Sequence, residues 1–212
     1  MAVVLGTNSG FVSSAPSSDP HGAVKDNDYS ANVSKDTSPV GNYKVTEMGW
    51  YCSYYSSETT FQLGIYNDDE GVPGDLLYYT DGSDSVTSTG WFKVTGLDWS
   101  LTSGTDYWLA VYVVDTLNPT KGDWATSGGS GFDAKAPGPL TSLDPYNGGV
   151  VQDSDAMYAV YALYEEIPGT NLKVNIGDTW KEMSAIKTNI GDSWKEVAAV
   201  KTNIGDTWKE VF

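Results

Sequence analysis

Few side chains in this sequence are equipped for chemistry. The one histidine, His21, stands in a Pro- and Ser-rich stretch, SSAPSSDPHG, where a solvated loop residue is expected. Without it no Ser-His-Asp or Cys-His arrangement can be assembled, and neither HExxH nor Cys/His metal spacing nor a Gly-rich phosphate loop opening a helix occurs. Hydrolysis by paired carboxylates is the one chemistry that 28 Asp and Glu leave open. These acids fall mainly in turn-like runs, however, where they solvate the surface and hold Asx turns. Two such runs, Asp26-Asn27-Asp28 and Asn67-Asp68-Asp69-Glu70, offer the oxygens that Ca²⁺ gathers in sets of roughly six to eight. Neither has EF-hand spacing and ordinary acidic turns are the favoured reading, so no metal and no cofactor is expected. Trp124 and Tyr146, in long Gly-rich loops, are the aromatics best placed to stack on a sugar ring, with burial beneath the loop somewhat favoured over display. Cys52, within Trp50-Tyr51-Cys52-Ser53-Tyr54, reads as a small buried hydrophobe and not as a reactive thiol. The expectation is a protein that is not an enzyme.

The elements that would carry these residues are strands. Alternation by two places Met48, Trp50, Cys52 and Tyr54 on one face of YKVTEMGWYCSYY, and Phe61, Leu63 and Ile65 on one face of TTFQLGIYND. No window keeps the three-and-four recurrence of a helix. NDDEGVPGDLLYYTDG predicts an acidic turn at 67–71, a Pro-Gly turn at 73–74 and a short strand from Leu76 to Tyr79. WFKVTGLDW and YWLAVYVVD predict strands around 91–99 and 107–115, the second apolar on both faces and so central in its sheet. MYAVYALYE predicts a closing strand at 157–165, while 116–156 is loop-rich. Residues 1–42 read as an N-terminal arm with edge strands of the body. The count of roughly seven to nine strands is that of an all-β sandwich or jelly roll over 43–166.

Charge divides the chain in two. All 12 basic residues are Lys, set against 28 acids for a net charge of -16. Residues 1–166 hold 6 Lys and 22 acids and so carry the whole excess, whereas 167–212 hold 6 of each and are neutral. Nucleic acid is excluded as a partner, because the field repels phosphates and Arg, the side chain suited to bidentate phosphate contacts, is missing. A single cysteine rules out an intrachain disulfide framework. The opening MAVVLGTNSG lacks the charged and apolar regions of a signal peptide, and no segment is expected to insert in a membrane.

Residues 173–212 carry the most specific pattern in the sequence: KVNIGDTWKEMSAI, KTNIGDSWKEVAAV and KTNIGDTWKEVF, a period of 14. Each Gly-Asp pair sits between two short alternating runs, as in a two-residue hairpin with Gly first. Such a turn sets Asn175 opposite Trp180 and Lys173 opposite Glu182, and it repeats an opposite-charge pair at Lys187/Glu196 and Lys201/Glu210. The same register sends Trp and Ile to opposite faces, and a lone hairpin cannot hide both. Either the three hairpins pack on one another or on the body, or they assemble with copies from other subunits through Ile176, Trp180, Ile190, Trp194, Ile204 and Trp208.

Two resemblances bear on the setting. FQLGIYNDDEGVPGDLLYYT, GWFKV and LTSGTDYWLAVY resemble the jelly-roll module of bacterial surface and phage structural proteins, over about residues 45–115. The terminal tract resembles the Lys-x-Asn-x-Gly-x-Thr-Trp-Lys repeats that end tailed-phage structural proteins, where an oligomeric role is implied. Together they imply a virion structural protein made in a host cytoplasm: a capsid decoration, head-fibre or tail-appendage component. Its partners would be itself, other virion proteins and host-surface glycans, and resemblance to fibrous phage tips implies a trimer. The alternative is a carbohydrate-binding module or adhesin at a cell surface, with Trp124 and Tyr146 in the site.

Overall fold

The computed structural model describes residues 3–26, 30–55, 57–114, 121–126, 131–135, 139–146, 150–151 and 156–167, together with six short strands between 173 and 210. The chain forms two compact units, Met1–Glu166 and Ile167–Phe212.

The first unit opens with β1 (Gly10–Val12), β2 (Ala23–Asp26), β3 (Ser30–Thr37), β4 (Tyr43–Tyr54) and β5 (Thr59–Asp69). It continues through β6 (Val72–Tyr79), β7 (Ser85–Val86), β8 (Gly90–Ser100), β9 (Asp106–Val114) and β10 (Lys121–Thr126). It ends with β11 (Gly131–Lys135), β12 (Val150–Val151), β13 (Ala156–Tyr158) and β14 (Val160–Glu166). These build two seven-stranded sheets packed as a sandwich. One follows the order β1-β14-β4-β10-β13, with β2 on β10 and β8 on β4; the other follows β12-β11-β3-β9-β5-β6, with β7 on β5.

Alternation sorts the side chains between layers. Met48, Trp50, Phe61, Leu63, Leu109 and Val111 belong to the main core cluster of the sandwich. The intervening residues of β9, Trp108, Ala110 and Tyr112, join Ala31, Val33 and Tyr66 in a second cluster on the opposite face of their sheet. That outer face is covered by a 3₁₀ turn, Leu140–Leu143, whose Leu140 and Leu143 are buried against it with Tyr146. β9 is therefore apolar on both faces because both are covered, as its sequence predicted.

Four expectations need correction. The N-terminal 42 residues are not an arm with edge strands alone: β3 lies inside its sheet between β9 and β11, and β1 pairs in parallel with β14, burying Phe11 and Val12. The Pro-Gly pair at 73–74 is not a turn but lies within β6, opposite Asp68 at Pro73. The chain reverses at Glu70 and Gly71, within the acidic turn expected at 67–71, where φ is 52° and 93° and Asp69 pairs with Val72, the geometry of a type I′ hairpin. Tyr54, at the far end of β4, is 47% exposed and does not share the burial of Met48, Trp50 and Cys52. The span 116–156 contributes three strands to the sheets and the turn that closes the outer face.

The hydroxyl of Tyr146 donates to the carbonyl of Ala31 at 2.6 Å, and its ring packs edge-on against Tyr66 at 5.1 Å. Tyr146→Phe is expected to lower stability by about 1 kcal/mol, the net value of one such bond. Chemical denaturation checks this, and an unchanged midpoint would show that the bond does not fix the covering segment.

Candidate assembly interface

The second unit contains three hairpins. β15 (Lys173–Ile176) pairs with β16 (Thr179–Glu182), β17 (Lys187–Ile190) with β18 (Ser193–Glu196), and β19 (Lys201–Ile204) with β20 (Thr207–Glu210). Each pair is antiparallel and forms its own two-stranded sheet. The register sets Lys173 opposite Glu182, Asn175 opposite Trp180 and Ile176 opposite Thr179, and the other two hairpins repeat it residue for residue. Pairing of residue 176 with 179 leaves a two-residue link, as the spacing predicted; Gly177 and Asp178, and their counterparts in the other repeats, lie outside the described residues. By this register Trp180, Trp194 and Trp208 fall on one face of their hairpins and Ile176, Ile190 and Ile204 on the other. Two-stranded ribbons of four residues per strand are marginal in water by themselves.

The long edge strands of the sandwich are built the opposite way. Among the described residues β6 pairs with β5 alone, and along it Pro73 lacks a donor and the register shifts twice. Among the described residues β8 pairs with β4 alone, and it carries a bulge: Trp99 faces Val45 and Thr95 faces Glu47, leaving Gly96, Leu97 and Asp98 opposite Thr46, with Gly96 at a φ of 77°. Interrupted, charged edges of this kind discourage addition of a strand from another chain.

Two polar clusters in the sandwich escaped the sequence reading. In one, Glu47, 7% exposed, accepts from the Tyr161 hydroxyl at 2.6 Å and from Lys93 Nζ at 2.9 Å. Burial, and then the neighbouring Glu47 carboxylate, push the Tyr161 hydroxyl well above its usual titration range. The ring of Tyr161 lies across Gly49, where a Cβ would come within 2.6 Å of it. That is why this strand position holds glycine. In the other cluster, Lys35 Nζ lies 2.9 Å from Asp68 Oδ1 and 3.1 Å from Asp106 Oδ2, and the Trp108 indole N–H donates to Asp68 Oδ1 at 2.8 Å. An ammonium and an indole thus take Oδ1 of Asp68, one of the three carboxylates in the 67–70 run weighed for Ca²⁺. Among the described residues no group of three or more His, Cys, Asp or Glu is placed to hold a metal ion. Of the other weighed run, Asn27 and Asp28 lie outside the described residues.

This second cluster sets a pH window. Burial works against the charge on Lys35, but hydrogen bonds and attraction from Asp68 and Asp106 outweigh it and raise its pKa above 10.5. A hydrogen bond from Thr37, then one from Lys35, lower that of Asp106 below 3.8. The lysine's contribution is complete below its unfolded pKa and lost as pH rises through the raised value; the aspartate's is complete above its unfolded pKa and lost as pH falls through the lowered one. Burial raises the pKa of nearby Asp36 against two backbone hydrogen bonds, from Phe11 and Thr37, so this carboxyl, unlike Asp106, contributes stability that grows as pH falls through the acid range. Asp106→Asn is expected to melt below the parent at neutral pH, with the gap closing only below the usual carboxylate range. A melting difference that does not depend on pH would show that the pair contributes nothing through its charge.

The remaining sequence candidates lie apart. Tyr146 is 1% exposed and its hydroxyl is engaged, so it offers no ring face to a sugar; the covered outer face of the sheet supplies the reason. The loop assigned to Trp124 is a strand, β10, where Trp124 is paired with Tyr158 and Ala23; its side chain lies outside the description. Cys52 is buried, and its thiol donates to the carbonyl of Tyr54 at 3.1 Å. His21 is exposed beside Asp19. No helix among the described residues is long and apolar enough to cross a membrane. Comparison of the chain with protein-family models, with curated proteins and with solved structures finds no match.

Proposed function

We propose that the chain is a structural component of a phage virion, a capsid decoration, head-fibre or tail-appendage protein, in which residues 173–210 join copies and the sandwich is the displayed body. The observation that carries this reading is the tail itself: three hairpins of identical register, each pairing only within itself among the described residues, with Trp and Ile on opposite faces. The charge distribution supports it, because 6 Lys and 6 acids let tails meet without repulsion while bodies with 22 acids against 6 Lys keep one another apart. The partners are other copies of the chain, a trimer being the expected number, and neighbouring virion proteins. Blunted edges on β6 and β8 fit a body that stays unpaired. The genes flanking its own test the setting: capsid or tail genes are the expected neighbours, and a metabolic operon would contradict the reading.

A further inference from the structure

We infer that copies meet through the Trp face of each hairpin, with the Lys of one copy set against the Glu of the next; this rests on the assembly role proposed above. The register places Lys173, Asn175, Trp180 and Glu182 on one face, and Val174, Ile176, Thr179 and Lys181 on the other. All four residues of the Trp face are identical in the three repeats. The opposite face keeps Ile and Lys but varies at Val174, Thr188 and Thr202 and at Thr179, Ser193 and Thr207. The stricter repetition singles out the Trp face as the one that must be met in the same way in all three repeats.

Its composition is that of an interface: one large aromatic and an amide between a positive and a negative corner on opposite strands. An exposed cross-strand pair contributes little to a hairpin by itself, yet Lys and Glu recur in all three. Across a symmetry axis each corner finds its complement on a like face, which fixes register and excludes misaligned partners. A second copy is the occupant because it carries the same three faces at the same period of 14, so that three contacts form together.

The test exchanges the corners in the full chain: Lys173→Glu, Lys187→Glu and Lys201→Glu together with Glu182→Lys, Glu196→Lys and Glu210→Lys. Net charge and every pair within a hairpin are kept. The exchanged chain is expected to oligomerise as the parent does, but after mixed dissociation and reassociation native mass spectrometry should find hetero-oligomers at least about tenfold below the statistical share, the factor that a modest charge mismatch imposes. Statistical mixing would overturn the inference while leaving the assembly role intact, and an exchanged chain that stays monomeric beside an oligomeric parent would overturn it too. Monomers of both chains would overturn the assembly role itself. On the opposite face, Lys181→Gln, Lys195→Gln and Lys209→Gln should assemble and mix freely with the parent; loss of assembly there would place the contact on the wrong face.

Discussion

Replacing Trp108 by alanine is expected to lower the stability of the sandwich by about 3–5 kcal/mol, the range for removing a large buried aromatic. Trp108 is fully buried, in one cluster with Ala31, Val33, Tyr66, Leu140 and Tyr146, so its loss opens a cavity between the sheet and the segment that covers it. It also removes the 2.8 Å hydrogen bond to Asp68 and leaves Lys35 without the ring 5.7 Å from its ammonium. Against a typical net stability of about 5–15 kcal/mol, the change takes a large share of the total. Trp108→Phe, which keeps an aromatic ring and loses the N–H, should cost roughly 1–3 kcal/mol. Denaturant unfolding followed by far-ultraviolet circular dichroism measures both. A Trp108→Ala chain within about 1 kcal/mol of the parent would mean that the covering segment is not held in the way described.

The second large effect concerns the tail. If the tail joins copies as proposed, Trp180→Ala, Trp194→Ala and Trp208→Ala together are expected to leave the chain monomeric while the sandwich melts as before. Burial of a large apolar side chain contributes roughly 1.5–3 kcal/mol, so three per copy amount to about 5–9 kcal/mol. That corresponds to at least roughly three orders of magnitude in the association constant. Size-exclusion chromatography with light scattering reads the mass directly. An oligomer that survives all three substitutions would place the contact away from the tryptophans.

Much of this architecture is legible in the residues. The alternation of Met48, Trp50 and Cys52 and of Phe61, Leu63 and Ile65 marks core faces because one side of each strand is covered. The hairpin register follows from the Gly-Asp spacing, since a two-residue link fixes every pair beyond it. β3 was hidden because its buried residues include Asn32 and Ser34, and a partner for Ser34 comes from far along the chain: its hydroxyl accepts from the Tyr158 N–H at 2.7 Å. Pro73 suggested a turn because Pro-Gly is a turn dipeptide, yet on the outer edge of β6 the missing donor costs nothing. The place of Tyr146 had a signal: a strand as apolar on both faces as β9 requires a cover, and Leu140, Leu143 and Tyr146 are the apolar residues of the segment that supplies it. Glu47, Lys93 and Tyr161 had none, because the strands that bring them together, β4, β8 and β14, are joined only by tertiary pairing.

If residues 173–210 join copies as proposed, the sandwich alone should not associate. Sedimentation velocity of the full chain and of a chain ending at Glu166 tests it most directly. A full chain that sediments at micromolar concentration as a closed oligomer, with three copies expected, beside a folded monomer of the shorter chain is the predicted result. A monomeric full chain, or a shorter chain that associates as strongly as the full one, would contradict it.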